Sequence, residues 1–147
     1  GEKKMNNIVL VSGGFDPIHS GHIKLISDAS IYGDVVVLLN SDEWLRNKKG
    51  KEFMPFEERK IILLSIKKVI DVIQFDDSNK TATEGIKKAI KKYQNKTIKF
   101  ANGGDRNKQS TPELDFCINN NIEMLWGIGG EFKSNSSSWI LDKWKEN

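Results

Sequence analysis

Residues Val35-Val-Val-Leu-Leu39 are five consecutive apolar positions with no polar alternation. A strand with one wet face would alternate, so this run suits a parallel strand covered on both sides. Largely apolar stretches at Ile8 to Val11, Val69 to Phe75, Thr97 to Ala101 and Ile122 to Trp126 supply four more strands. Between them lie stretches at helical spacing. Gly21 to Tyr32 carries Ile23, Leu25, Ile26 and Ala29 on one stripe, with Gly33 placed as a C′ glycine. Pro55 suits the first turn of a helix reaching about Lys68, with Glu57 and Glu58 at its positive end and Phe56, Leu63 and Ile66 inward. Thr81 to Tyr93 repeats the spacing at Ala82, Ile86, Ala89, Ile90 and Tyr93. Ser110-Thr-Pro-Glu113 reads as a capping box opening a helix over Thr111 to Asn120. Five strands with four helical crossovers predict a single α/β domain, a Rossmann-like five-stranded parallel sheet with helices on both faces.

The 147 residues suit one domain, expected over residues 5–147, with Gly1 to Lys4 read as a cloning remnant or disordered tail. No apolar run approaches the roughly 20 residues that span a bilayer, and no secretory h-region follows the N-terminus. A cytoplasmic protein without a membrane partner is expected, and Cys117 alone makes no internal disulfide. The formal charge is only +3, and three of the 23 cationic residues are arginine. No basic stripe is interleaved with aromatics, so nucleic acid is not an expected partner. Neither a G-x-x-x-x-G-K-[ST] loop nor a G-x-G-x-x-G turn occurs.

Chemistry concentrates in residues 9–26, where an apolar strand runs through a glycine turn into a helix whose start carries the only two histidines, His19 and His22. Backbone N–H groups, a helix N-terminus and two imidazoles thus meet at the carboxyl end of a buried strand, where a phosphate can be held. Residues three apart share a helix face, so both rings can reach one phosphate. The plain alternative makes His22 a core-facing residue and His19 a loop residue. Zinc fits poorly, because helical ligand pairs usually sit four apart with a carboxylate nearby; no metal site is assigned.

The segment Gly13-Gly14-Phe15-Asp16-Pro17-Ile18-His19-Ser20-Gly21-His22 closely resembles the H-x-G-H motif of the cytidylyltransferase-like nucleotidyltransferase superfamily, which includes glycerol-phosphate cytidylyltransferases and heptose-phosphate and pyridine-nucleotide adenylyltransferases. The resemblance runs from about Ile8 to Ile140. Asn40-Ser41-Asp42, Lys49-Gly50, Pro55, Arg59, Val69-Ile70-Asp71-Val72, Phe75-Asp76-Asp77, Gly103-Gly104-Asp105 and Ser136-Ser137-Ser138-Trp139-Ile140 follow in the order seen in the heptose-phosphate and glycerol-phosphate members.

That resemblance implies transfer of a CMP or AMP moiety from CTP or ATP to a small sugar or polyol phosphomonoester, with pyrophosphate leaving and Mg²⁺ as cofactor. It implies His19, His22, Lys24 and Arg59 as catalytic groups, although an ordinary solvated helix also accounts for Lys24. Gly13, Gly14, Phe15, Asp16, Gly21, Gly103, Asp105, Ser136, Ser137 and Ser138 would hold the nucleotide, with Gly21 letting the backbone approach it. Asp42, Arg46, Lys49 and Arg106 would meet the acceptor; the first three lie in a long polar connection over Ser41 to Met54, whose own length and four basic residues, Arg46, Lys48, Lys49 and Lys51, lead us to expect that it closes over substrate. The serines would open a short last helix, Trp139 to Trp144. A homodimer is compatible with the family. Two departures stand out: Gly14 replaces the usual threonine or serine, and Leu141 replaces the usual arginine or lysine. The missing cation at Leu141 leaves open a catalytically weakened nucleotide-binding or regulatory domain, while lysine content alone speaks for an RNA-binding module.

Overall fold

The computed structural model describes residues 6–104 and 106–130. Five strands, β1 (Asn7–Gly13), β2 (Asp34–Leu39), β3 (Val69–Gln74), β4 (Thr97–Gly103) and β5 (Glu123–Ile128), form one parallel sheet in the order β3-β2-β1-β4-β5. The chain steps outward from β1 to β3, then returns to the other side of β1 for β4 and β5. The reversal falls between β1 and β4, and ligands in open α/β sheets collect beyond the carboxyl ends at such a point.

Ile8 to Val11 and Val35 to Leu39 are fully buried, as two-sided coverage requires. Alternate residues serve separate cores. Val9, Val11, Val35, Val37 and Leu39 pack with Ile26, Ala29, Phe56 and Leu63 from α1 (Ser20–Ala29) and α3 (Phe56–Leu64). On the other face Ile8, Leu10, Val36 and Leu38 pack with Ile86, Ala89 and Cys117 from α4 (Thr83–Lys92) and α5 (Leu114–Asn119). Emptying one of these sites, as Leu63→Ala would, typically costs about 2–5 kcal/mol.

Several local expectations give way to tertiary packing. Ile23 is 43% exposed, so the buried stripe of α1 is Ile26 and Ala29 with Leu25 half in. Helix α1 ends before Ser30, and Gly33 is no left-handed cap: a Cβ there would lie 2.5 Å from the Asn7 carbonyl oxygen where β1 passes. Helix α3 stops at Leu64, where the Ser65 N–H turns back onto Ile61, Ile62 and Leu63, rather than reaching Lys68. The largest revision concerns 41–54, expected as an open connection. It contains α2 (Asp42–Lys49), with the Ser41 hydroxyl accepting the Trp44 N–H and Gly50 closing the helix at φ 94°. The expected helix over Trp139 to Trp144 lies outside the described residues.

Candidate active site

A cavity of about 780 Å³ opens over the carboxyl ends of the strands, within the size range of small-molecule sites. Its floor is the turn after β1. Phe15 there has φ 50°, and its buried ring lies against Gly13 and 4.7 Å from the His22 ring.

The two imidazoles stack at 3.8 Å with 26° between their planes. His19 is the N-cap of α1, and its Nδ1 accepts the Gly21 N–H at 3.0 Å. The His22 Nδ1 accepts the His19 N–H at 3.1 Å. With each Nδ1 serving as an acceptor, a neutral ring carries its proton on Nε2. Burial holds His19 below its ordinary value; for His22, burial and then the proximity of His19 push the pKa down to about 3. Both residues line the cavity, so the site offers two neutral N–H donors rather than two cations.

Gly21 serves the same geometry. A Cβ there would stand 2.9 Å from Cε1 and 3.1 Å from Nδ1 of the His19 ring. A Cβ on Gly14 would meet Leu45 Cδ2 at 2.7 Å and the Trp44 ring at 3.5 Å. The space of the expected hydroxyl residue is thus filled by side chains of α2.

Asp16 and Arg59 act as struts. The Asp16 carboxylate, 2% exposed, accepts the Phe53 and Met54 N–H groups at 2.6 Å each and pairs with Lys49 Nζ at 2.9 Å. Lys49 also donates to the Asp16 carbonyl. The Arg59 guanidinium, expected at a phosphate, is instead buried. Its Nε donates to the Met54 carbonyl, its Nη1 to those of Gly14 and Asn40, and its Nη2 to the Asp42 carboxylate at 2.7 Å. Arg59 and Asp42 thereby hold the loops that frame the cavity without lining it. Asp77 does the same for the end of β2, accepting the Asn40 side-chain amide and both the N–H and hydroxyl of Ser41.

The structure brings Gly13, Gly14, Phe15, Asp16, His19, Gly21, His22, Lys24, Lys49, Gly103 and Arg106 to the cavity. Arg46 stands outside it, paired with Glu52 at 2.8 Å. Lys24 lines the rim but pairs with Asp28 at 2.9 Å, its side chain 59% exposed. Asp105, Ser136, Ser137, Ser138 and Leu141 lie outside the described residues. Trp44, Lys80, Thr81 and Glu113 line the cavity without having been expected there. Lys48, a cation of the 41–54 segment expected to meet substrate, lines it too, with its ammonium 4.8 Å from the ring centre of Trp44 one turn earlier. Glu113 is not the N3 member of a capping box: α5 begins after it and has no side-chain cap.

The profile of the cytidylyltransferase-like family matches residues 10–126. The bifunctional protein HldE of Geobacter metallireducens is 31% identical over 142 residues, which is 92% of this chain and 26% of that protein. The glycerol-3-phosphate cytidylyltransferase of Bacillus subtilis is 42% identical over 66 residues, 44% of this chain and 51% of that protein. The chain therefore spans about a quarter to a half of the length of these curated relatives. The crystal structure of the lipopolysaccharide core biosynthesis protein from Thermoplasma volcanium superposes with a TM-score of 0.59 at 20% identity, covering 81% of this chain and 93% of that one, which is a likeness of fold. With the family profile spanning both the two-histidine turn and the carboxyl edge of β4, the chain belongs to the cytidylyltransferase-like family.

Proposed function

We propose that this protein is a nucleotidyltransferase that moves a CMP or AMP group from CTP or ATP to a small sugar or polyol phosphomonoester. The observation that carries the reading is the histidine pair, whose Nδ1 atoms are both occupied by backbone donors at the cavity floor. Family membership and the named relatives support it.

An oxygen of the acceptor phosphate attacks the α-phosphorus in line. The new P–O bond forms as the bond to the β-phosphate oxygen breaks, and pyrophosphate leaves with the electron pair. Negative charge builds on the α-phosphoryl oxygens, and the Nε2–H groups of His19 and His22 hydrogen-bond to them. Because the rings are neutral, the pair can stack without charge repulsion. Removing one such preorganised donor costs about 10²-fold in turnover.

The acceptor side is assigned to Trp44, Lys48 and Arg106, which line the cavity. Lys49 contributes mainly by bracing Asp16. The nucleotide is assigned to the turn after β1 and the ends of β4 and β5, with Asp105 and the three serines 136–138 as further ligands. Among the described residues no group of three His, Cys, Asp or Glu side chains is arranged to hold a metal ion. Mg²⁺ would enter with the triphosphate and would help to neutralise the leaving pyrophosphate.

The test is pyrophosphate release with CTP and ATP against a panel of polyol and sugar phosphates. Release that depends on one nucleotide and one acceptor class is expected. Release indifferent to acceptor would count against transfer.

A further inference from the structure

Glu113 precedes α5 and is 2% exposed, yet it lines the cavity. Its Oε2 accepts the Ala82 N–H at 2.9 Å, and its Oε1 accepts from Arg106 Nη1 at 3.2 Å. One buried carboxylate therefore ties the residue before α4 to the loop after β4. Both tied residues line the cavity, and the Arg106 side chain is 38% exposed.

The tie to Ala82 needs only an acceptor oxygen, which a neutral amide would supply. Among the described residues the charge is paired with Arg106 alone. Burying a carboxylate is costly unless it is paired and hydrogen-bonded, so the arrangement makes sense where the orientation of the guanidinium matters. A planar guanidinium gripped through one nitrogen keeps its other N–H groups in a fixed fork, the geometry that suits an oxyanion.

We propose that Glu113 is a positioning residue for the acceptor subsite, holding Arg106 at the cavity wall so that its remaining N–H groups receive the anionic group of the phosphomonoester. This rests on the transferase reading above. It makes a prediction opposite to simple charge counting. Glu113→Gln makes the cavity more positive, which by charge alone should tighten anion binding. Loss of orientation should instead weaken it.

The measurement combines kinetics with arginine side-chain NMR on the full chain. The sequence contains only Arg46, Arg59 and Arg106, so Arg106→Lys identifies the Arg106 Nε–H signal by its disappearance. In the wild type this signal should be well dispersed and should shift on adding glycerol 3-phosphate or inorganic phosphate. In Glu113→Gln it should collapse towards the position of a free guanidinium and lose the response, while the Arg59 signal stays put. The acceptor KM should rise by roughly tenfold, the scale of a lost hydrogen bond to a charged group, with kcat and the nucleotide KM within about twofold. Arg106→Lys, which keeps the charge and loses the fork, should raise the acceptor KM similarly, and it serves if Glu113→Gln does not fold. An Arg106 signal unmoved by Glu113→Gln, tighter phosphate binding in that variant, or full acceptor affinity in Arg106→Lys would overturn the proposal. The NMR arm needs no turnover, so an inactive wild type would strike the transferase reading alone.

Discussion

The backbone N–H of His19 donates to Nδ1 of His22 at 3.1 Å, so the second histidine is fixed by the main chain of the first. The reciprocal arrangement, with His19 Nδ1 accepting from Gly21, closes the first turn of α1 around two uncharged rings.

The protonation of His22 follows. Its folded pKa of about 3 lies below the ordinary 6.5, so as pH falls below 6.5 the unfolded chain takes up this proton first. The contribution of His22 to stability is complete above pH 6.5 and declines steadily as pH falls to about 3. With only two histidines in the chain, the His22 ring signal in proton NMR should show no titration between pH 7.5 and pH 5 in the free protein, these being order-of-magnitude bounds on a neutral buried ring. Urea unfolding of His22→Gln should fall off less steeply with acid than the wild type. A ring that titrates near 6.5 would contradict the neutral pair.

Gly21→Ala should separate stability from activity. The position is helical, where alanine is favoured over glycine by about 1 kcal/mol, but the added Cβ meets the His19 ring at 2.9 Å. The imidazole must swing away from its cap. Melting temperature should stay near that of the wild type, the lost cap of about 1 kcal/mol offsetting the helix gain, while turnover drops by about 10²-fold, the scale of one lost donor. Full turnover in this variant would show that the position of His19 is not critical.

Much of this frame was legible beforehand, because Val35 to Leu39 and the two histidines are local signals. Helix α2 was not: Trp44 and Leu45 are the only apolar residues in its eight, so no periodic stripe marks it. Its start was readable in Ser41 followed by Asp42 and Glu43, a capped and acidic first turn. Arg59, Asp77 and Glu113 escaped for another reason. Their partners lie far away in sequence, as Gly14 does from Arg59 and Ala82 from Glu113, and no local pattern distinguishes a buried strut from a solvated charge. Asp16 was placed in the turn correctly, but its bonds to Phe53 and Met54 could not be read from spacing.

Arg59 should behave as a structural residue. Its guanidinium joins the turn after β1, the end of β2 and the segment before α3, and removing it leaves Asp42 and three carbonyls without their donor. Breaking a buried pair of this kind costs about 3–5 kcal/mol, so Arg59→Ala should melt far earlier than the wild type in thermal unfolding. Arg59→Lys should recover only part of that loss, because an ammonium cannot span the same acceptors. A variant of unchanged stability and reduced phosphate affinity would return Arg59 to the role of a ligand.

The central claim is that the α-phosphoryl group moves to the acceptor. Incubation with CTP or ATP labelled at the α-phosphorus, and separately at the γ-phosphorus, in the presence of a polyol or sugar phosphate tests it directly. The account predicts α-label in a new nucleoside-diphosphate-linked product and γ-label only in pyrophosphate, with both signals reduced by about 10²-fold in His19→Ala and His22→Ala. The γ-label appearing as free phosphate or on the acceptor, with the α-label left in nucleotide, would contradict it.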